Sequence, residues 1–132
     1  MADLLFKVDS GTSKQKIAPR TWTYVKFPTK TSFSVSDKGN YNWEVILRVE
    51  YPKAGTGDIL RGRFARYPGT SKIDETGHDD KNTYHWDGGV YHSKWDHTFV
   101  ADSTMPVGFW VWHNGSKPIV LDGRQIKASK VN

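Results

Sequence analysis

Residues 41–51 constrain the fold of this chain more than any other stretch of its sequence. Apolar and polar residues alternate there, and the apolar positions are Tyr41, Trp43, Val45, Leu47, Val49 and Tyr51. A period of two places these side chains on one face of a long β-strand, and that face needs a core to cover it. Ile46 is the single apolar residue on the opposite face, where it can mark a contact with another chain.

Shorter strand patterns occupy most of the remaining sequence. They are predicted over residues 21–27, 31–36, 58–67, 95–101, 107–113, 118–121 and 125–131. In residues 58–67, Leu60 and Phe64 share one face, and Arg61 and Arg63 share the other. Turns are expected at residues 37–40, at 113–116, where Asn-Gly readily takes the positive φ of a hairpin turn, and at 122–123.

No stretch shows a sustained helical period, and about eight or nine strands recur at a spacing near ten residues. The pattern predicts an all-β fold, a jelly-roll-like antiparallel β-sandwich over residues 20–132. Residues 1–19 are predicted to be a short N-terminal arm in which Leu4, Leu5 and Phe6 dock on a neighbouring chain. Residues 68–80 carry almost no apolar side chain and are expected to form an exposed loop.

Composition narrows the functional classes. The chain has 132 residues, no cysteine and a net charge of +5, with 19 Lys and Arg against 14 Asp and Glu. Without cysteine there is neither a disulfide framework nor a thiolate metal site. The positive charge is thinly spread, which favours a solvated basic surface over a nucleic-acid groove. No signal segment or membrane span is recognisable, so we expect synthesis in a cytoplasm without export and no insertion into a membrane.

The sequence offers little support for catalysis or for a metal. Residues 74–97 are rich in ligand types, namely Asp74, Glu75, His78, Asp79, Asp80, His85, Asp87, His92, Asp96 and His97. Their spacing matches no Ca²⁺ loop, and a zinc site in a cupin-like enzyme would require His85, His92 and His97 to converge. Glu44 and Glu50 lie about 20 Å apart along one strand, too far for a glycosidase pair. We therefore expect no enzyme activity, no cofactor and no metal.

Aromatic residues are the more informative feature, with six each of Trp, Tyr and Phe. Residues 109–112 read Phe-Trp-Val-Trp, so both faces of that strand are apolar. Trp110 and Trp112 are therefore predicted, with Ile46, to form an assembly interface. The safe core assignment covers Trp43, Phe64, Phe99, Phe109 and Val111. A glycan-binding tip is predicted at Tyr84, His85, Trp86, Asp87, Tyr91, His92 and Trp95.

The order of the strands resembles the jelly roll of the tumour-necrosis-factor and complement-globular-head superfamily. The similarity rests on Gly39-Asn40-Tyr41 leading into the long strand, on residues 98–112 and on a closing strand over residues 124–131. In place of the usual Ala-Gly-Asp before the penultimate strand, residues 103–106 read Ser-Thr-Met-Pro. The resemblance implies a homotrimer.

The whole chain is also similar to small minor tail or capsid decoration proteins of tailed phages of actinobacteria. This likeness rests on the short N-terminal arm, the lack of cysteine and the segments at residues 63–66 and 76–80. It implies a virion structural protein that assembles with itself and with other virion proteins, and that can attach to a host-surface glycan. A carbohydrate-binding, lectin-like module is the alternative function.

Overall fold

The structure is a computed structural model that describes residues 2–8, 14–27, 31–57, 59–67, 74–82 and 88–131, with the backbone alone at 2–8 and 74–82. These described ranges form nine β-strands, and they include no helix of the length and hydropathy needed to cross a membrane. The strands are β1 (Ala2–Val8), β2 (Gln15–Ile17), β3 (Thr23–Tyr24), β4 (Gly39–Tyr51), β5 (Ile59–Arg66), β6 (Asp74–Asn82), β7 (Gly89–Ala101), β8 (Val107–His113) and β9 (Ile119–Val131).

The strands form two antiparallel sheets. The five-stranded sheet has the order β1-β9-β4-β7, with β2 also paired to β9, and the four-stranded sheet has the order β3-β8-β5-β6. The chain crosses from one sheet to the other after β2, β3, β4, β6, β7 and β8, as the repeated exchange between the two sheets of a jelly roll requires. The predicted all-β jelly-roll sandwich is confirmed.

Strand β4 lies in the middle of the five-stranded sheet and sets the register of its neighbours. Every second residue from Tyr41 to Tyr51 is buried, as the alternation predicts. β4 pairs with β7 on one side and β9 on the other, so that Val45 faces both Trp95 and Ile126. The buried face of β4 therefore becomes one wall of the core.

Aromatic rings from both sheets fill the space between them. Trp95 of β7 packs against Phe109 of β8 with ring centroids 5.2 Å apart, and Phe64 of β5 packs against Phe109 at 4.9 Å. Trp43 stacks on Phe99 at 5.6 Å. The predicted core residues Trp43, Phe64, Phe109 and Val111 are fully or almost fully buried, and Phe99 is half-buried against them.

The N-terminal segment differs from the predicted arm. β1, which contains Leu4, Leu5 and Phe6, pairs with β9 as an edge strand of the chain's own sheet, and β2 pairs with β9 further along. Ile17 is fully buried in the core. The side chain of Gln15 fixes β2 by donating to the carbonyl of Tyr24 and accepting from the amide of Lys26. Residues 2–8 and 15–17 therefore supply strands of the sandwich, because backbone pairing with β9 does not require the continuous apolar pattern whose lack suggested an arm.

Two further predictions fail where strands are polar. Part of the expected loop at residues 68–80 is strand β6, which pairs with β5 at the edge of the four-stranded sheet, and residues 68–73 lie outside the described ranges. β7 begins at Gly89 instead of residue 95. Both are edge strands, so hydrogen bonds to one neighbour hold them without a continuous buried face. Conversely, the strand expected at residues 31–36 is reduced to one bridge between Phe33 and Val107.

The turn predicted at residues 122–123 is instead a bulge. β9 runs unbroken from Ile119 to Val131, and its pairing with β4 skips one residue between Leu121 and Gly123. One extra residue in a strand produces such a local shift without ending the strand.

Residues 114–118 connect the two sheets and do not close a hairpin. The amide of Gly115 donates to Nδ1 of His113 (3.1 Å), and Nε2 of His113 lies 2.9 Å from the carbonyl of Ile17. A carbonyl only accepts and an amide only donates, so His113 is neutral with its proton on Nε2. Burial lowers the pKa of His113, against a smaller opposing effect of the Ile17 carbonyl. This buried imidazole thus links β2 to the connection between β8 and β9.

Candidate functional site

The outward face of the four-stranded sheet carries a cluster of aromatic and arginine side chains. Register places Tyr24 and Arg63 on either side of Trp110, and Arg61 beside Trp112. We call the cluster the aromatic–arginine face, and it consists of Trp22, Tyr24, Arg61, Arg63, Trp110 and Trp112. It arises because the inward residues of β5 and β8 fill the core, so the alternate residues must point outward.

The rings and guanidinium groups of this face lie against one another. Tyr24 stacks on Trp110 with centroids 3.7 Å apart, and Trp22 lies 6.5 Å from Trp112. Cζ of Arg63 is 4.4 Å from the Trp22 ring centroid. Cζ of Arg61 is 5.2 Å from the Trp22 ring and 5.6 Å from the Trp112 ring. These distances are within the range of cation–π attraction, so the cluster is held in a defined arrangement.

All six side chains of the aromatic–arginine face are half-buried, so each still presents part of its surface to solvent. Nε1 of Trp110 is buried and has no hydrogen-bond partner among the described residues. Register places Asp80 of β6 next to Arg61 and His78 next to Arg63. The face therefore combines flat apolar rings with cationic groups, which suits a ligand that offers both apolar C–H surface and negative charge.

The outward face of the five-stranded sheet is chemically different. Glu44 of β4 accepts ion-pair contacts from Lys127 (3.0 Å) and Lys94 (3.1 Å) on the two flanking strands. Burial alone would raise the pKa of Glu44, but the two lysines outweigh it and the pKa is lowered. Arg48 pairs with Asp122, the residue at the β9 bulge. Charges in the middle of this face are thus neutralised within the chain.

The ends of the same face and its β7 edge carry exposed apolar residues. Within the described ranges, the exposed large hydrophobic side chains are Val90, Tyr91, Val100 and Val131. All of them lie on β7 or β9 of the five-stranded sheet. Val100 and Val131 flank Asn40 across three strands, and Val100 is 54% exposed. Val90 and Tyr91 lie at one end of β7 and Val100 lies at the other, with Val131 beside it across β4, so the sheet carries an exposed apolar pair at each end.

The structure separates the residues predicted to form one assembly interface. Ile46 lies on the outward face of the five-stranded sheet, in register with Lys94 and Gln125, and is half-buried. Trp110 and Trp112 lie on the outward face of the other sheet, where Tyr24 and Trp22 cover part of their surface. The two-sided strand at residues 109–112 is therefore accounted for in large part within one chain.

The predicted glycan-binding tip is not brought together in the described residues. Tyr84, His85, Trp86 and Asp87 lie outside the described ranges. Tyr91 and His92 are exposed on β7, on opposite faces of the strand. Trp95 is only 1% exposed and packs on Phe109, so its assignment to the tip is corrected to the core. Period two along β7 gives the reason, because it places Trp95 opposite the buried Val45.

No group of three His, Asp or Glu side chains with the geometry of a metal site occurs among the residues whose side chains are described. His92 and His97 both lie on β7, and because they are five positions apart they are on opposite faces of the strand. His85 lies outside the described ranges, so the three histidines of the cupin-like alternative are not placed together.

Sequence reasoning predicted that Trp110 and Trp112 face outward, but it missed the side chains that meet them. The available signals were the outward pairs Arg61/Arg63 and Trp22/Tyr24, each with the same period of two. What the sequence does not contain is the strand order β3-β8-β5, which places these three pairs side by side.

Comparison with known proteins shows the fold. The chain is similar to the Eiger TNF of S. frugiperda, with a TM-score of 0.58 and 8% identity, over 98% of this chain and 94% of that one. It is also similar to murine APRIL, with a TM-score of 0.55 and 11% identity, over 99% and 100% of the two chains. A carbohydrate-binding module of a Cellvibrio mixtus lichenase aligns at 16% identity over 98% of this chain and 100% of that one, with a TM-score of 0.47, too low to inform this chain's function.

No protein-family model matches the sequence, and no curated protein matches it. The resemblance to a TNF-like jelly roll is thus confirmed at the level of the fold.

Proposed function

We propose that this chain is a non-enzymatic jelly-roll subunit that assembles as a homotrimer and serves as a minor tail or capsid decoration protein of a virion. The observation that carries the assembly is the distribution of exposed apolar side chains. In the described part of the chain, the exposed large hydrophobic side chains all lie in the five-stranded sheet, on β7 and β9.

The placement of these residues favours a closed ring. β7 is an edge strand, so the outward face of the sheet and the β7 edge are adjacent surfaces set at an angle. A contact between two adjacent surfaces of identical chains can close after a few copies, whereas a contact between opposite faces of a sandwich would extend into a filament. We therefore assign the contact to Val90, Tyr91, Val100 and Val131 with Ile46, and leave Trp110 and Trp112 outside it. The number three comes from the resemblance to the TNF-like jelly roll.

The assembly is tested by sedimentation velocity of the full chain at micromolar concentration. We expect the wild type to sediment at three times the mass of one chain. Val100→Glu should sediment as a monomer, because it places a charge in a contact that excludes water. Ser36→Glu, which adds the same charge at an exposed loop position, should remain trimeric. A monomeric wild type, or a trimeric Val100→Glu variant, would refute this contact.

The virion role rests on the lack of cysteine and on the segments at residues 63–66 and 76–80, which resemble those of small phage tail and decoration proteins, and no longer on an N-terminal arm. Its test is immunogold electron microscopy of virus particles purified from infected cells that produce this protein, with an antibody raised against this chain. Regular labelling at the tail or on the capsid is expected. Particles that carry no label, while the protein is abundant in the infected cells, would contradict a virion role and leave the assembly result untouched.

A further inference from the structure

We propose that the aromatic–arginine face binds an acidic saccharide, a chain of hexose units that carry carboxylate groups. This surface differs from the predicted tip at residues 84–95 and lies on the sheet opposite the proposed assembly contact. The inference therefore does not depend on the oligomeric state.

Ring arrangement is the first reason. Tyr24 stacks on Trp110 and Trp22 is tilted against Trp112, and each of the four rings is half-buried. Packing against a neighbour fixes each ring before any ligand arrives, so binding has little side-chain entropy to remove. A sugar ring offers an apolar patch of C–H groups, which packs on the exposed part of an aromatic ring.

Charge is the second reason, and it selects an acidic sugar over a neutral one. The guanidinium of Arg63 is 4.4 Å from the Trp22 ring centroid, so the same residue pair presents an apolar face and a planar cation. A carboxylate-bearing hexose matches that pair, because its ring contacts the indole while its carboxylate accepts hydrogen bonds from the guanidinium. The net charge of +5 adds a long-range attraction for an anionic polymer.

The third reason is the indole nitrogen of Trp110. Its N–H is buried without an acceptor among the described residues, although a buried donor normally has one. A ligand hydroxyl or carboxylate reaching between Trp110 and Arg63 would supply an acceptor, after a small movement of the rings.

Isothermal titration of the full chain at low ionic strength tests the proposal, with hexagalacturonate as the acidic probe and cellohexaose as the neutral one. We expect binding of hexagalacturonate that weakens as salt is raised, and at least tenfold weaker binding of cellohexaose. Arg63→Gln should weaken hexagalacturonate binding at least tenfold. Lys16→Gln, which removes an equal charge from the other sheet, should change it less than twofold.

A second variant pair separates ring stacking from charge. Trp22→Ala should weaken hexagalacturonate binding tenfold or more, whereas Tyr91→Ala, an exposed aromatic residue of the other sheet, should leave it within twofold. The melting temperature of each variant shows whether it has folded. Should Trp22→Ala fail to fold, Arg63→Lys tests the same pair, since it keeps the charge and loses the planar guanidinium, and severalfold weaker binding is expected.

The overturning results are specific. Equal affinity for both saccharides, no binding of hexagalacturonate, or an Arg63→Gln variant that binds like the wild type would each refute the site. Tighter binding of a thymidine dodecanucleotide than of hexagalacturonate would instead indicate a single-stranded nucleic acid as ligand and would also overturn it. The titration is repeated with Val100→Glu, which is expected to be monomeric. Hexagalacturonate binding by this variant would show that the saccharide site does not depend on the trimer.

Discussion

Aromatic side chains occupy two regions of this sandwich, the interior between the sheets and the outward face of the four-stranded sheet, and the two regions use them differently. Strand β8 contributes to both, because Phe109 and Val111 point inward while Trp110 and Trp112 point outward. Interior rings such as Trp95 are almost fully buried among other hydrophobic side chains. Outward rings are half-buried and lie beside arginines.

The difference shows that an aromatic strand does not by itself indicate a subunit interface. In the interior, burial of large rings stabilises the fold. On the outward face, arginine guanidinium groups lie over Trp22 and Trp112, and Tyr24 and Trp110 cover part of each other, so much of this apolar surface is already covered within one chain. The interior holds more rings, but only the outward face leaves part of each ring exposed beside arginine side chains.

The largest expected difference between the two regions is in stability. Trp95→Ala should lower the free energy of unfolding by about 3–5 kcal/mol, because it leaves a cavity beside Phe109. Trp112→Ala should lower it by only about 1 kcal/mol, since its ring is half-exposed before the change. Chemical denaturation at constant pH measures both values. Equal losses would mean that the outward rings are as much a part of the core as the interior ones.

A glycine on β5 gives a sharper test of how tightly the interior is filled. A Cβ added at Gly62 would overlap Cζ of Phe109 and lie 2.6 Å from Cε2 of Trp95, so Gly62→Ala must displace rings of the core. We expect a loss of about 1–3 kcal/mol in unfolding free energy. Gly39→Ala is the matched control, because the atom it would meet at 2.7 Å is the flexible Cε of Lys130. A Gly62→Ala variant as stable as Gly39→Ala would show that the interior has room.

Strands could be predicted from the sequence where one of their faces is buried. The prediction failed for strands without a continuous buried face. The alternation through Tyr41 and Tyr51 identified β4, because burial of every second residue leaves a period-two pattern. β6 and the first half of β7 leave no such pattern, since edge strands are held largely by backbone hydrogen bonds. The aromatic–arginine face could be anticipated only in part, because its strands are distant in sequence and their neighbours are set by the sheet order.

At the end of β8, His113 links the interior to pH. Its folded-state pKa is depressed below the ordinary value of 6.5, mainly by burial. As the pH falls below 6.5, the unfolded chain therefore binds a proton at this residue before the folded chain does. The contribution of His113 to stability is fully present above pH 6.5 and is lost as the pH drops toward the folded-state pKa. Protonation would also remove the acceptor for the Gly115 amide, worth about 1 kcal/mol.

The corresponding variant is His113→Gln, which keeps a donor for the Ile17 carbonyl and does not titrate. Denaturation midpoints measured between about pH 7.5 and pH 5.5 should fall less steeply for this variant than for the wild type. If His113→Gln retains the wild-type slope, the buried imidazole is not the group responsible.

The smallest expected effect is the coupling between an outward ring and its arginine. A double-mutant cycle on Trp22 and Arg63, with Trp22→Leu, Arg63→Gln and the double variant, isolates the interaction of the two side chains, whose separation is 4.4 Å from Cζ to ring centroid. We expect a coupling free energy of about 0.5–1 kcal/mol, the usual size for a partly exposed cation–π pair. The same cycle on Trp22 and Lys16, which lies on the other sheet, should give a value near zero. Because the attraction is electrostatic and partly exposed to water, the coupling should shrink as salt is raised. A coupling near zero at low salt would show that the arginine and the indole are neighbours without mutual stabilisation, and the outward rings would then owe their order to strand pairing alone.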